Sequence, residues 1–562
     1  MSGRSDVAAP EAAAQTPQPS APPAFVPVPW PRAVGYFVTA ATLVLAQGFG
    51  QAVITSNIQQ LQGSFGATQA ETSWMVAAYM APNVSLTIAL IKIRAQYGLR
   101  NFAELSILAF LLAALLNYLA DGLWSNLAVR FVSGMAAAPL TSLGFLYMLE
   151  PLPPAKKLTV GLSAVLTFIF LASPLTRLVS PHLLEMGQWH GLTAFEASIA
   201  AIGFGLIYLF PLKSPPRVKV IESADVISFL LIAVGFGALA VSFTLGSTYW
   251  WFEQPWLGVL LAIAAGTLPL AAAIELNRKS PLLDIRWLFS PTILHFAATL
   301  LFFRLMLSEQ TSGAAGLFSA LGYLNDQTQM VWVVVAVTTV VAGVVCAVTL
   351  RPQRVQQFHV IALCLLIVAS YMDSQSTAQI APSQMYLSQA MISLASAFFL
   401  LPAMMTGMLS ALSRGPQYIL NFIVVFISTQ KIGAVLGSAL FGTFVKSRQK
   451  LHMSRLYEAL PATDPLVTGQ ISTYGAAYSG YIADPAQLAA QSAATLARQA
   501  STQASVMAYN DAFLGIAALS TAALALLLGH IALDAWRARR AAAHEPASAE
   551  AGPANSSSPQ AA

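Results

Sequence analysis

Charged residues are scarce in this sequence: they make up only 9% of the 562 residues, whereas hydrophobic residues make up 56%. Soluble globular domains contain roughly 25% charged residues. The shortage argues against an ordinary soluble domain. It also weakens the formal net charge of +5 as a sign of nucleic-acid binding, because the basic residues lie between apolar segments. We therefore expect a polytopic, all-α integral membrane protein with no nucleic-acid partner.

Cysteine is nearly absent as well, since Cys346 and Cys364 are the only two, and both lie inside apolar runs. Two such residues give neither a disulfide framework nor the spacing of metal ligands, so no metal site is expected. The sequence also lacks a Gly-rich phosphate loop followed by Lys and Ser or Thr, which argues against an ATP-driven pump. No nucleophile with a nearby base is evident. The chain is predicted to be a carrier without a cofactor, and not an enzyme.

The two ends of the chain lack long apolar runs. Residues 1–32 are rich in Ala, Pro, Ser and Gln, and no charged segment precedes a short apolar core. We expect this segment to be a disordered tail and not a cleaved signal peptide. Residues 535–562 have the same low-complexity character and are predicted to form a second disordered tail.

Between these tails, apolar runs predict fourteen membrane-spanning helices. The expected ranges are 33–55, 72–94, 102–119, 123–147, 158–181, 190–211, 225–244, 256–275, 289–310, 328–350, 357–372, 385–409, 419–444 and 510–534. An even number of spans places both termini on one side. Most of the 28 Lys and Arg lie on that side, and the short loops opposite contain none. Both termini are therefore predicted to be cytoplasmic, in a bacterial inner (plasma) membrane.

One connecting segment, about 445–509, is far longer than the others. Within it, residues 484–500 favour a helix of moderate amphipathicity. We expect a short helix on the outer side that lies along the membrane or contacts an extracytoplasmic partner. The alternative is a solvent-exposed helix that has no binding role.

Charged side chains inside predicted spans cost free energy unless they face water or a partner, so each marks a candidate functional site. Arg130 lies about seven residues into the fourth span, roughly 10 Å along a helix. The mostly small residues 133–138 that follow it let another helix pack closely. Alternatively, Arg130 snorkels to the outer interface or pins a neighbouring helix. The charged residues singled out within spans as candidates are Arg130, Arg177, Glu196, Arg304, Glu309 and Lys431.

Glu196 is the candidate proton carrier, because it is the only carboxylate well inside a predicted span. Buried charges need partners. We expect Arg130 or Arg177 to pair with Glu196 and to take part in proton coupling, and Glu309 is a possible charge partner of Arg304. The alternative is that these groups form structural pairs only, with Glu309 exposed to solvent.

Polar residues of the first span complete the predicted site. Gln47 and Gln51 are four residues apart and therefore share a helical face. Together with Arg304 and Lys431 they are expected to line a substrate cavity. Four of the six charged candidates are basic and two are acidic, and this excess would suit an anionic substrate such as an amphipathic organic acid. The expected partners are a small amphipathic molecule, protons and membrane lipid.

Four segments carry a resemblance to a known family. They are 63–74, Arg130 with Gly134 and the following 153–157, the joint 275–289, and the Gly-rich 431–438. These segments are similar to motifs of the fourteen-helix drug:proton antiporter branch of the major facilitator superfamily, the EmrB/QacA-like transporters. The resemblance covers residues 33–534.

This resemblance implies two six-helix bundles, 33–211 and 289–534, joined by 212–288 with two extra helices. It also implies a substrate site near the midplane and alternating access by rocking of the bundles. Gram-negative relatives work with a periplasmic adaptor and an outer-membrane channel, which become possible partners here.

Three positions depart from the family pattern. Gly50 occupies the position of an acidic residue in the first helix. The loop 91–98 keeps only the last Gly of its motif and lacks the Asp and Arg. In the fifth helix, 173–178 replaces a Gly-rich antiporter motif and introduces Arg177. The chain is a divergent member of this group.

The leading hypothesis is a proton-coupled inner-membrane exporter of amphipathic or aromatic small molecules. One alternative is a membrane subunit that kept the fold, lost coupling and serves as a scaffold in an export assembly. Another is a carrier that lets an anion leave down the membrane potential. Retained charges inside spans favour transport, whereas the lost motifs favour the scaffold.

Overall fold

The computed structural model describes residues 27–213, 217, 219–415, 418–461 and 463–544, and these residues form helices and no strands. Most of the first predicted tail, 1–26, and the end of the second, 545–562, lie outside them. The long helices, in chain order, are α1 (Trp30–Ser56), α2 (Gln69–Tyr97), α3 (Leu99–Tyr118), α4 (Leu123–Leu149), α5 and α6 (together Leu162–Leu209), α7 (Ser223–Tyr249), α8 (Pro255–Leu276), α9 (Pro291–Met306), α10 (Gln329–Thr349), α11 (Val355–Asp373), α12 (Tyr386–Leu412), α13 (Tyr418–Glu458) and α14 (Pro485–His544).

Thirteen helices of the described residues are long and apolar enough to cross a membrane. One of them, Lys157–Leu209, has 53 residues and would be about 80 Å long if straight, against an apolar bilayer thickness of about 30 Å. It is broken at Gly187 and at Gln188, whose φ of 51° lies in the left-handed region. This helix therefore accommodates two spans, α5 (162–186) and α6 (189–209). The predicted fold class, with fourteen spans, is confirmed.

The break reverses the chain direction, as two contacts with α1 demonstrate. An ideal Cβ built on Gly48 would lie 2.2 Å from Cβ of Ala172, and one built on Gly50 would lie 2.8 Å from Oε1 of Glu196. In a straight helix, residues 172 and 196 would be about 36 Å apart. Because both lie beside neighbouring turns of α1, α5 and α6 form an antiparallel hairpin.

Two groups of helices form the molecule. In the first, α1 packs on α4, α5 and α6, and α2 packs on α4; in the second, α11 packs on α12 and α14, and α13 packs on α9 and α14. The groups meet where α5 contacts α10 and α2 contacts α13, while α7 contacts both α2 and α13. An ideal Cβ on Gly343 of α10 would lie 2.0 Å from Oγ1 of Thr167 on α5, so only glycine allows this close approach.

We call the end of the bundle where α1 begins the terminal side, and the opposite end the distal side.

The long distal segment is more helical than we expected. Residues 484–500 are not a separate short helix but the first part of α14, which has 60 residues. A 60-residue helix is about 90 Å long, so α14 extends well beyond a bilayer, as does α13 with its 41 residues. The short helix Pro465–Tyr478 packs beside them. At the ends of the chain, α1 begins at Trp30, and 535–544 continue α14 and do not form a disordered tail.

Candidate functional site

A cavity of about 160 Å³ lies between the two groups of helices. Its walls include Gln47 and Gln51 of α1, Arg177 of α5, Arg304 of α9 and Lys431 of α13. The structure thus brings together the four residues predicted to line a substrate cavity and adds Arg177 to them. Whether they bind a substrate stays a prediction.

The three basic side chains of the cavity have no carboxylate partner among the described residues. Lys431 Nζ lies 3.3 Å from the carbonyl oxygen of Asn83 and 3.2 Å from Oγ1 of Thr87. Arg177 Nη1 donates to Oδ1 of Asn325 at 3.4 Å, and its guanidinium lies 4.6 Å from the ring centre of Trp332. These neighbours are neutral, so the positive charges remain available to an anion in the cavity.

Arg130 and Glu196 form a fully buried ion pair behind α1. Arg130 Nη2 lies 3.2 Å from Glu196 Oε2, and the two side chains are 0% and 1% exposed. Arg130 Nη1 also donates to the carbonyl oxygen of Gly50 at 3.2 Å, and its guanidinium lies 5.1 Å from the ring of Trp189. Asn117 Nδ2 donates to the same Glu196 oxygen at 3.0 Å. The predicted pairing of Arg130 with Glu196 is therefore present in the structure.

The close packing expected after Arg130 is also present. An ideal Cβ on Gly134 would lie 2.2 Å from the carbonyl oxygen of Tyr79, so α2 and α4 approach each other at this glycine. Asn83 Nδ2 donates to the carbonyl oxygen of Gly134 at 3.0 Å and fixes the same contact. Arg130 thus projects from a rigid α2–α4 unit toward α1 and α6.

Helix α1 connects this ion pair to the cavity. Gly50 faces Glu196, whereas Gln47 and Gln51 line the cavity. Gln47 Nε2 donates to Oε1 of Gln51 at 3.1 Å, and Tyr79 Oη donates to the carbonyl oxygen of Gln47 at 3.3 Å. A shift of α1 would therefore change the position of Gly50 relative to the ion pair and the positions of Gln47 and Gln51 in the cavity.

Two expected pairings are wrong. Arg177 does not reach Glu196, because α5 directs it into the cavity, where it contacts Asn325 and Trp332. The structure records no ion pair between Arg304 and Glu309. Arg304 lies along the cavity, whereas Glu309 begins a π-helical turn, Glu309–Ala314, and is 0% exposed rather than solvated.

Sequence reasoning missed the residue that does face Glu309. This is Asp373, which lies at the last position of α11 and is buried, with its carboxyl group beside that of Glu309. The predicted span ended at residue 372, so Asp373 was assigned to a loop. Gln389 of α12, also missed, contacts both acids. The spacing of polar residues along α12 gave no signal for it.

A group of polar contacts closes the distal side of the cavity. Asn325, in the connection between α9 and α10, donates through Nδ2 to the carbonyl oxygen of Ser56 at 2.7 Å and to Oδ1 of Asn57 at 2.9 Å. Asn57 in turn donates to Oγ of Ser180 at 2.9 Å. We call Ser56, Asn57, Ser180 and Asn325 the distal seal. It joins both groups of helices.

A network of charges joins helices on the terminal side. Lys92 of α2 lies 2.7 Å from Oδ1 of Asp225 at the start of α7, and Arg278 lies 2.6 Å from the same oxygen. Arg278 also pairs with Glu275 at 2.8 Å and with Glu222 at 3.0 Å. The carboxylates of Asp225, Glu222 and Glu275 raise the pKa of Arg278. We call these five residues the terminal network. Lys92 belongs to residues 91–98, which were predicted to be a loop; the structure places 91–97 in the last turns of α2.

Two helical groups around a central polar cavity form the architecture of a membrane transporter. The chain matches the Major Facilitator Superfamily over residues 40–438 and belongs to this family.

Similar proteins are named for drug export or for resistance to drugs or fatty acids. The fatty acid resistance protein FarB of Neisseria gonorrhoeae is 25% identical over 232 residues, 40% of this chain and 44% of FarB. The multidrug export protein EmrB of Escherichia coli K12 is 20% identical over 231 residues, 41% of this chain and 44% of EmrB. The putative multidrug resistance protein MdtD of Salmonella typhimurium LT2 is 23% identical over 273 residues, 47% and 53% of the two chains. The chain thus spans about half the length of these relatives.

Solved structures share the fold. The human organic anion transporter MFSD10 (TETRAN) superposes with a TM-score of 0.53 at 12% identity, covering 88% of this chain and all of that one. A POT family transporter in complex with 5-aminolevulinic acid gives a TM-score of 0.50 at 12% identity, covering 75% and 91%. At these identities the likeness concerns the fold alone.

Proposed function

We propose that this protein exports amphipathic organic anions across a bacterial inner membrane, in exchange for protons. The observation that carries the proposal is the charge of the cavity. Arg177, Arg304 and Lys431 line it, and no Asp or Glu is found among the described residues of its wall. Uncompensated cations in a site of low dielectric attract anions and repel cations.

The rest of the wall supports an amphipathic substrate. Leu166, Phe170, Trp332 and Phe426 add apolar and aromatic surface to the cavity. Such a lining would hold the apolar body of an organic acid while the basic groups hold its carboxylate. FarB is named for resistance to fatty acids, which agrees with this substrate class.

The Arg130–Glu196 pair is the proposed proton-coupling site. When a proton neutralises Glu196, Arg130 loses its anionic partner and keeps its hydrogen bond to the carbonyl oxygen of Gly50 on α1 and its contact with the ring of Trp189. The balance of contacts that holds α1 would then change, and with it the position of Gln47 and Gln51 in the cavity. Protonation and substrate binding would thus be linked through α1.

The proposed orientation places the termini in the cytoplasm and the distal side in the periplasm. The helical extension formed by α13, α14 and Pro465–Tyr478 would then project into the periplasm. Leu466 and Tyr481 are exposed on it, at 82% and 90%. This extension is the proposed contact for a periplasmic adaptor, which would lead to an outer-membrane channel.

Transport in liposomes tests the proposal. Purified protein is reconstituted with an imposed pH gradient, and proton flux is followed on addition of an aromatic carboxylate, a fatty acid or an amphipathic cation. We expect flux with the acids and little with the cation, and Glu196→Gln should strongly reduce it. Substrate movement without proton flux would instead support passive anion exit. No movement of any compound by folded protein would favour the scaffold.

A further inference from the structure

A second pair of buried acids lies in the C-terminal group of helices. Glu309 and Asp373 are 0% and 3% exposed, and their carboxyl groups face each other. Gln389 of α12 binds both: its Nε2 donates to Glu309 Oε1 at 3.3 Å and to Asp373 Oδ2 at 2.9 Å. Oε2 of Glu309 is buried and finds no donor among the described residues.

No positive charge among the described residues compensates this pair. Arg304, five residues earlier on α9, lines the cavity instead. Arg448 and His452 of α13 both bind Asp511 of α14, each at 2.6 Å, so these groups are paired with one another. Two ionised carboxylates would repel each other in a buried site without a cation.

One proton resolves this conflict. If one carboxyl group is protonated, its O–H donates to the other carboxylate, and the pair holds a single negative charge. The proton then supplies the donor that buried Glu309 Oε2 lacks. Paired carboxylates elsewhere share a proton for the same reason and titrate as a unit.

The pair is connected to the cavity by a short chain of hydrogen bonds. Gln310 Nε2 donates to the carbonyl oxygen of Gln389 at 3.0 Å and to Oγ of Ser393 at 3.1 Å. Gln310 and Ser393 both line the cavity. Glu309 and Gln310 belong to the π-helical turn Glu309–Ala314, and such turns often occur at functional sites.

We propose that Glu309 and Asp373 share one proton and form a second proton-binding site of the carrier. The molecule would then have one protonation site in each group of helices, at Glu196 and at Glu309–Asp373. Its role in transport rests on the proposed function, whereas its occupancy by a proton does not. If the transport cycle empties both sites, two protons are exchanged per cycle.

Infrared spectroscopy of the purified protein at neutral pH tests the occupancy, because a protonated carboxyl group has a C=O band distinct from that of carboxylates. We expect the wild type to show a band from a buried protonated acid. Glu309→Gln and Asp373→Asn should each remove or shift it, since each variant leaves a single acid beside an amide. Glu196→Gln removes the buried acid proposed as the first protonation site and should leave this band unchanged.

A folding check and a cation control make the result decisive. Thermal melts identify variants that fail to fold, and two different substitutions keep the test open if one fails. Absence of the band in the wild type, or a band unchanged in both variants, would overturn the proposal. A band that disappears when sodium chloride replaces choline chloride would also overturn it, in favour of a cation site. The assay needs no transport, so a failed transport experiment would leave it intact.

Discussion

The carboxylate of Glu196 on α6 lies directly against Gly50 on α1. A Cβ on Gly50 would lie 2.8 Å from Oε1 of Glu196, and Arg130 binds the carbonyl oxygen of the first and the carboxylate of the second, each at 3.2 Å. The resemblance to drug:proton antiporters predicts an acidic residue at the position of Gly50. Here the acid comes from α6, and the missing side chain of α1 leaves the space that it fills.

The first prediction concerns the transfer of the carboxylate from position 196 on α6 to position 50 on α1. Gly50→Asp alone should impair coupled transport, because a second carboxylate would crowd and repel Glu196. Glu196→Ala alone should abolish coupling at this site. The double variant Gly50→Asp/Glu196→Ala should recover part of it, since an aspartate on α1 can again face Arg130. Substrate-driven proton flux in liposomes measures all three. A double variant no better than Glu196→Ala would contradict the idea.

The second prediction concerns stability. Arg130→Gln leaves Glu196 buried without its cation, which costs about 3–5 kcal/mol in a fully buried pair. The double variant Arg130→Gln/Glu196→Gln should regain most of this loss, because two amides can hydrogen-bond without a net charge. Thermal unfolding in detergent measures both. Equal melting temperatures for the single and double variants would show that the pair is not energetically coupled.

The third prediction concerns anion binding in the cavity. A charge-assisted hydrogen bond contributes about 1.5–3 kcal/mol, which corresponds to roughly tenfold or more in affinity. Replacing Arg177 or Arg304 with Gln, or Lys431 with Met, should weaken the binding of an aromatic carboxylate by at least that factor. Lys450→Met is a suitable control, because Lys450 lies over the ring of Trp250, 4.3 Å away and outside the cavity. Equal losses in the control would argue against direct anion binding.

The fourth prediction concerns the distal seal. Asn325→Ala removes the hydrogen bonds to Ser56 and Asn57 that join the two groups of helices. The distal side should then open more often. With Cys346 and Cys364 replaced by Ala, a cysteine at Thr339 in the cavity wall should react faster with an impermeant thiol reagent. Asp326→Ala, at the exposed neighbouring position, should leave the rate unchanged.

Hydropathy predicted the spanning helices because each bilayer crossing needs about 20 apolar residues in a row. Hydropathy does not detect helices outside the bilayer. It therefore did not predict that residues from Pro485 onward are continuous with the helix of the last span. It also misplaced Asp373, since a span boundary is uncertain by several residues.

Pairing of charges was predicted only in part, because it depends on helix rotation. Arg130 and Arg177 both lay at a depth that suited Glu196. The kink at Gly187 and Gln188 sets how α5 and α6 pack on α1, and this packing turns Arg177 toward the cavity. Sequence gives the depth of a residue along its helix, whereas the face that it occupies follows from tertiary packing.

The last prediction concerns the terminal network, where Arg278 joins α7, α8 and the joint that follows. The hydroxyl of Ser280 and the guanidinium of Arg278 lower the pKa of Glu222. A lowered pKa in the folded state stabilises the network above the ordinary pKa of glutamate, about 4.3. This contribution is lost only as the pH falls through the lower, folded value. The ion pairs of the terminal network should therefore be present at both pH 7 and pH 5.

Arg278→Gln should open the network at both pH values, because it leaves the buried carboxylates of Glu275 and Asp225 with one cation, Lys92, between them. Hydrogen–deuterium exchange of residues 277–290, corrected for the intrinsic effect of pH, measures this opening. Arg286→Gln is the matched control, since Arg286 is exposed in the same segment. If both variants exchange alike, Arg278 does not hold the joint. If only Arg278→Gln exchanges faster, the charge of Arg278 holds the joint to α7 and α8 on the terminal side.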